Sequence, residues 1–233
     1  MELKNDTIEQ IIREALAQMG DRVPASGPSY GASAMAAEGG RDPFLVSVGV
    51  SNRHVHLSRS DMDTLFGPGS SLTRKKAMRQ PGHYAAEETV TLRGPKREIS
   101  RVRVLGPLRG QTQVEVSVAD CFTLGIDPVL RMSGYHEGTP GVEIVGPQGS
   151  VQTESGLIVA MRHIHMPPET ARGLGLENGE EVDVLVDGER AGVMSRVVIR
   201  AAEATVPEMH IDIEEANAFC LKNDDLVRIR KRS

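Results

Sequence analysis

The chain has 233 residues, 39% hydrophobic and 25% charged, so wholesale disorder, collagen-like structure and coiled coil are excluded, and at about 150 residues per domain it holds one large domain or two small fused ones. Aromatics are only 3%, with no Trp, and the net charge is -5, so neither a base-stacking platform nor a basic face for nucleic-acid phosphates is expected. Cys121 and Cys220 form no C-x-x-C motif, which argues against a disulfide framework and points to two buried thiols in a reducing cytoplasm. The sequence contains neither an apolar run long enough to span a bilayer nor a secretory signal, so a soluble intracellular protein is expected.

At the front, Ile8, Ile11, Ile12, Ala15, Leu16 and Met19 form the i, i+3, i+4 stripe of an amphipathic helix over residues 1–20. Thr7 and Gln10 make a capping box, and Gly20 is the stop. Residues 21–43, rich in Gly, Ala, Ser and Pro, read as a flexible linker. A short helix beyond a linker is marginal alone in water and needs a partner surface; it reads as a docking peptide, the alternative being a helix folded back on its own body. Its polar face mixes Glu2, Asp6, Glu9 and Glu14 with Lys4 and Arg13, unlike the basic face that anionic membranes favour.

From Phe44 onward, short alternating segments separated by turn residues predict strands at residues 44–50, 89–92, 99–105, 113–118, 142–145, 157–161, 181–186, 193–199 and 226–229, with brief helices at 60–66, 168–174 and 214–221. This spacing predicts a mainly β fold of barrels or a sandwich. The body also repeats itself. Arg53-His54-Val55-His56-Leu57 is echoed by Arg162-His163-Ile164-His165-Met166, residues 99–104 by 194–199, and residues 114–118 by 209–213, so that Glu115 falls where His210 falls. Two related β-barrel subdomains are expected, 44–145 and 146–233, with strands open to exchange between them.

In an extended segment residues i and i+2 share a face, so each His-x-His presents two imidazoles side by side. Each half adds a third candidate, giving His54, His56 and Glu115 in the first and His163, His165 and His210 in the second. Three N or O ligands with a fourth position open is the pattern of a catalytic zinc, and two zinc ions per chain are expected; iron or manganese is compatible with the same ligands. The leftover His83 and His136 read as turn or surface residues, and Cys121 as a small buried hydrophobe before a metal neighbour. Arg109 lies in the turn Gly106-Pro107-Leu108-Arg109-Gly110; its guanidinium suits phosphate, although an exposed turn arginine is the simpler alternative. Lys75 and Lys76, in the basic run 74–79, fit a polyphosphate and a solvated face equally.

Together, Ser51-Asn52-Arg53-His54-Val55-His56-Leu57-Ser58, residues 80–90, Val104-Leu105-Gly106-Pro107-Leu108-Arg109, Arg162-His163-Ile164-His165 and residues 210–217 resemble the phosphate propanoyltransferases of propanediol-utilisation microcompartments, over nearly all of residues 44–230. The resemblance implies reversible acyl transfer between coenzyme A and inorganic phosphate, a two-barrel fold with short capping helices, a homodimer and a two-zinc site held by the two triplets above. It also implies phosphate binding by Arg109, coenzyme A contacts at Ser51, Lys76, Arg103 and Asn217, and a bacterial microcompartment lumen as location. The N-terminal segment resembles the encapsulation peptide by which some members engage shell or lumen proteins.

No G-x-S-x-G elbow or other activated nucleophile is evident, so direct attack of phosphate on the acyl carbon is expected. The dissenting route is an acyl-enzyme at Cys121 or Glu87. A di-zinc hydrolase of acyl thioesters is the rival enzyme, and a metal-stabilised scaffold for shell assembly the non-enzymatic alternative.

Overall fold

The structure, a computed structural model, describes residues 44–232; the helix expected at 1–20 and the linker at 21–43 lie outside the described residues. Six strands close a barrel in the order β1 (Leu45–Ser51), β14 (Glu208–Asp212), β11 (His163–Met166), β13 (Gly192–Ala201), β12 (Glu181–Val186) and β15 (Leu226–Lys231). A second sheet, curled into half a barrel, runs β7 (Leu130–Arg131), β10 (Leu157–Ala160), β6 (Gln113–Glu115), β2 (His54–His56), β5 (Glu98–Gly106), β4 (Tyr84–Arg93), β8 (Glu143–Val145) and β9 (Ser150–Gln152), with β3 (Arg74–Ala77) paired to β4. The fold is mainly β, as the turn-spaced alternation implies, and one of its two subdomains closes completely.

Strands cross between the two halves. β1 lies in the barrel, between β14 and β15, and the chain then enters the half-barrel at β2. β10 lies in the half-barrel, beside β6 and β7, and the chain then enters the barrel at β11. The half-barrel therefore takes all its strands from residues 54–160, whereas the barrel joins 45–51 to 163–231. Each has its own core. Val55, Leu57, Met62, Leu92, Ile144 and Leu157 centre one, and Val46, Val48, Ile164, Val184, Ile199 and Met209 the other, built from aliphatic side chains because the sequence offers so few rings.

The repeat holds in register. His54 pairs with Arg103 in parallel and with Glu115 antiparallel; His163 pairs with Val198 in parallel and His210 antiparallel. Arg101 and Arg196, equivalent in the repeat, both adopt a left-handed backbone, with φ of 58° and 61°.

Among the described residues, four short helices cap the sheets: α1 (Arg59–Phe66), α2 (Val118–Leu124), α3 (Pro168–Leu174) and α4 (Ile213–Phe219). α2 replaces the end of the strand expected at 113–118. Its signal was a capping box, in which Ser117 accepts from the backbone of Asp120 while the Asp120 carboxylate accepts from the backbone of Ser117, an arrangement that satisfies two otherwise orphaned donors. Asp212 and Glu215 do the same for α4 at the equivalent place. No helix among the described residues is long and apolar enough to cross a membrane.

Candidate metal and phosphate site

Pleating turns both imidazoles of each His-x-His to one face, and the antiparallel neighbour brings the third ligand opposite the first: Glu115 beside His54, and His210 beside His163. Within each triplet the candidate donor atoms lie within 4.8 Å of one another. His54 Nε2 is 3.4 Å and His56 Nε2 4.0 Å from the Glu115 carboxylate, while His163 Nε2 and His165 Nε2 stand 3.1 Å apart.

The hydrogen bonds behind these rings orient them. His54 Nδ1 lies 2.8 Å from the carbonyl of Asn52, and His163 Nδ1 2.8 Å from that of Met161. An Nδ1–H donated to a carbonyl leaves Nε2 as a bare lone pair, the state a metal ligand needs. His56 Nδ1 and His165 Nδ1 are buried without partners among the described residues. Rings placed so deeply, with so little of their bonding met inside the protein, fit ligation of a divalent cation, and the imidazole-rich donor set suits zinc.

Electrostatics divides the triplets. Burial disfavours the His54 imidazolium, but the charge and hydrogen bond of Glu115 outweigh it and raise its pKa. Burial likewise opposes ionisation of Glu115, and His54 overcomes it, holding the carboxyl well below its usual range. In the all-histidine triplet, burial and then the neighbouring His210 push His163 down to about 4, and His165 is also lowered, chiefly by burial. His163 and His165 are therefore neutral at pH 7.

Both triplets line one cavity of about 400 Å³, together with Ser51, Arg109, Arg200 and His83. Arg109 reaches it from the turn before β6, donating Nη1 to Ser133 Oγ at 3.3 Å; it is not the exposed turn arginine of the simpler reading. Arg103 is half-buried on β5, with Nη1 donated to the carbonyls of Ala86 and Glu87. Lys76 on β3 and Asn217 on α4 are exposed, and neither they nor Arg103 line the cavity.

The two histidines read as turn or surface residues lie in loops, and both are half-buried. His83 sits in a turn, but the hairpin between β3 and β4 carries it into the cavity, where burial and then Arg109 lower its pKa. His136 is half-buried, its Nε2 2.9 Å from Gln113 Oε1. Neither was legible because loop residues carry no periodicity. Arg200, opposite His165 in the parallel β11–β13 register, was missed as well; alternation along β13 placed it on the ligand face, but an arginine near a strand end reads as solvent-facing. Cys121 is fully buried outside the cavity, its thiol pushed up to about 11 by burial and then by the charges of Asp120 and Glu214. Cys220, expected to be buried as well, is exposed, because it ends α4 as a left-handed cap at the surface. Glu87 is exposed and held by Lys75.

A family model described as phosphate propanoyltransferase matches residues 47–222. A phosphate propanoyltransferase of Rhodopseudomonas palustris is 64% identical over 232 residues, 100% of both chains. One from Rhodobacter capsulatus is 67% identical over 190 residues, 82% of this chain and 88% of the relative, and one from Salmonella typhimurium 51% over 174 residues, 74% and 82%.

Proposed function

Because the chain belongs to the phosphate propanoyltransferase family and is an acyltransferase of the phosphotransacylase kind, we propose that it converts propanoyl-CoA, or another short acyl-CoA, and inorganic phosphate reversibly to acyl phosphate and coenzyme A at a two-zinc site. The observation that carries this reading is the meeting of two matched ligand triplets and the half-buried Arg109 in one cavity. His54, His56 and Glu115 would hold one zinc and His163, His165 and His210 the other. Zinc there supplies Lewis acidity for a thioester carbonyl and a template for phosphate.

Arg109 binds phosphate. One nitrogen is anchored on Ser133, and its other side-chain N–H groups have no partner among the described residues, which suits an oxyanion. Arg200 adds a second guanidinium to the same wall. Phosphate attacks the acyl carbon directly, and the thiolate of coenzyme A leaves as the tetrahedral adduct collapses. Against a covalent route stand the protonated, buried Cys121 and the ion-paired, exposed Glu87. Ser51, which lines the cavity, and Lys76, Arg103 and Asn217, which do not, contact coenzyme A. The active unit is a homodimer in the lumen of a bacterial microcompartment, addressed there by residues 1–20 engaging shell or lumen proteins, where it recycles coenzyme A in propanediol degradation.

The test is coenzyme A release from propanoyl-CoA by zinc-assayed protein, with and without inorganic phosphate. Phosphate-dependent release with acyl phosphate as product is expected; phosphate-independent release would make the protein a hydrolase.

A further inference from the structure

The third ligands, Glu115 and His210, are equivalent in the repeat, and two residues before each stands a buried side chain on the same strand face: Gln113 on β6 and Glu208 on β14. Their chemistry differs in a way that matches the ligand each serves. Gln113 donates Nε2 to Glu115 Oε1 at 2.6 Å and accepts at Oε1 from the backbone N–H of Gly134 at 2.7 Å. Only an amide can do both, and a carboxylate there would face a second carboxylate. Ser133 Oγ donates to the same Glu115 oxygen at 2.9 Å, which leaves Oε2 toward His54.

Where the third ligand is an imidazole, the equivalent place holds a carboxylate. Glu208 Oε2 lies 2.9 Å from His210 Nε2 and accepts from Gln80 Nε2 at 2.8 Å. A carboxylate only accepts, so His210 presents Nε2–H to it, and Nδ1 is the donor atom that remains. Gln80 comes from the β3–β4 hairpin of the other half, is itself buried, and is fixed by a second bond to the carbonyl of Val206 at 3.1 Å. Gly49 makes the space: a Cβ there would stand 2.9 Å from Glu208 Oε1 and 3.0 Å from His210 Cδ2.

We propose that Glu208 is a positioning residue that fixes the ring and tautomer of His210, so that each metal site has one carboxylate, direct through Glu115 in the first and relayed through an imidazole in the second. The inference rests on the two-metal reading above. Outer partners of this kind orient a ligating histidine and raise its basicity, and their loss typically weakens metal binding by about 10- to 100-fold.

The experiment is zinc titration of the full chain, stripped of metal, by calorimetry, with cobalt absorption as a second readout of site geometry. Glu208→Gln keeps the shape and removes the charge; it should weaken one of two zinc ions by about 10- to 100-fold and leave the other unchanged. In a His210→Ala background the same substitution should have no further effect. Gln80→Ala, which touches Glu208 and not the ligand, should weaken the same ion by less, and melting of the metal-free proteins reports whether each variant folds. Equal affinities in Glu208→Gln and unaltered protein, or weakening that persists without His210, would overturn the inference while leaving the two-metal reading intact. An unaltered chain that binds no metal would overturn that reading itself.

Discussion

Arg53 grips Asp120 with two parallel bonds, Nε to Oδ2 at 2.9 Å and Nη2 to Oδ1 at 2.8 Å. Arg162 meets Glu215 in the equivalent place at 3.1 Å. Each arginine sits where the chain passes from one sheet to the other, and each carboxylate is the third residue of a helix and part of its capping box. One ion pair thus ties each crossover to the helix that follows the third ligand.

Arg53→Ala should therefore destabilise the fold by about 1.5–3 kcal/mol, because it strips a bidentate partner from a buried carboxylate. Arg162→Ala should cost less, its pair being a single bond to a more exposed carboxylate. Urea midpoints at unchanged slope would check both.

Arg109→Ala should raise the KM for phosphate by about 10- to 100-fold, the worth of a lost charge-assisted bond, and move that for acyl-CoA far less. Arg109→Lys should recover part, since an ammonium keeps the charge without the fork. Initial rates at varied phosphate decide it, and an unchanged phosphate constant would return Arg109 to a structural role.

His56→Ala and His165→Ala should each lose one bound zinc and lower activity by more than about 100-fold, beyond the effect typical of outer-shell partners. Metal content and kcat are measured on the same preparation; full activity in a metal-depleted variant would end the two-zinc reading.

Cys121, held up to about 11, stays a thiol across the physiological range, and Cys220 is exposed. Iodoacetamide at pH 8 should label Cys220 alone in the native protein and both in urea, as mass spectrometry would show. Because the folded state keeps the Cys121 proton that an unfolded chain releases from its ordinary value of 9.0, stability should fall as pH rises from about 9 to about 11. Cys121→Ala should retain activity within about twofold if acyl transfer is direct; trapping of an acylated Cys121 would reverse that expectation.

Gly49→Ala should be destabilised by about 1–3 kcal/mol, the usual cost of overpacking a close-packed site, and should disturb His210. A thermal melt and a zinc titration of the variant test the two effects separately.

The pattern of what was legible has a physical basis. His-x-His survives in sequence because strand pleating has a fixed period, and duplication made Glu115 and His210 findable through their neighbours. Most long strands were legible from alternation; β12, expected at 181–186, is observed over those residues, its burial alternating strictly. Contacts set by loops were not. His83, Gln80 and Ser133 reach the site from turns whose path depends on distant docking, and α2 was hidden behind valines at 114, 116 and 118 that favour a strand until Ser117 and Asp120 cap the helix. The role of Glu208 was not legible, because its partner Gln80 is more than a hundred positions away.

The order in which the ribosome releases the chain meets the crossover of β1 directly. Every strand of the half-barrel has emerged once residue 160 is out, so that body can assemble during synthesis. β1, the first strand among the described residues, must wait for β14 and β15, with Ser47 paired to Glu208 and Leu45 to Arg228. Until the final segment appears, Val46 and Val48 have no barrel to enter, and the metal pocket lacks a wall. Such long sequence separations slow folding and leave a nascent edge strand open to wrong pairing. Loss of the β15 residues would therefore unseat β1, which the whole half-barrel sequence separates from them.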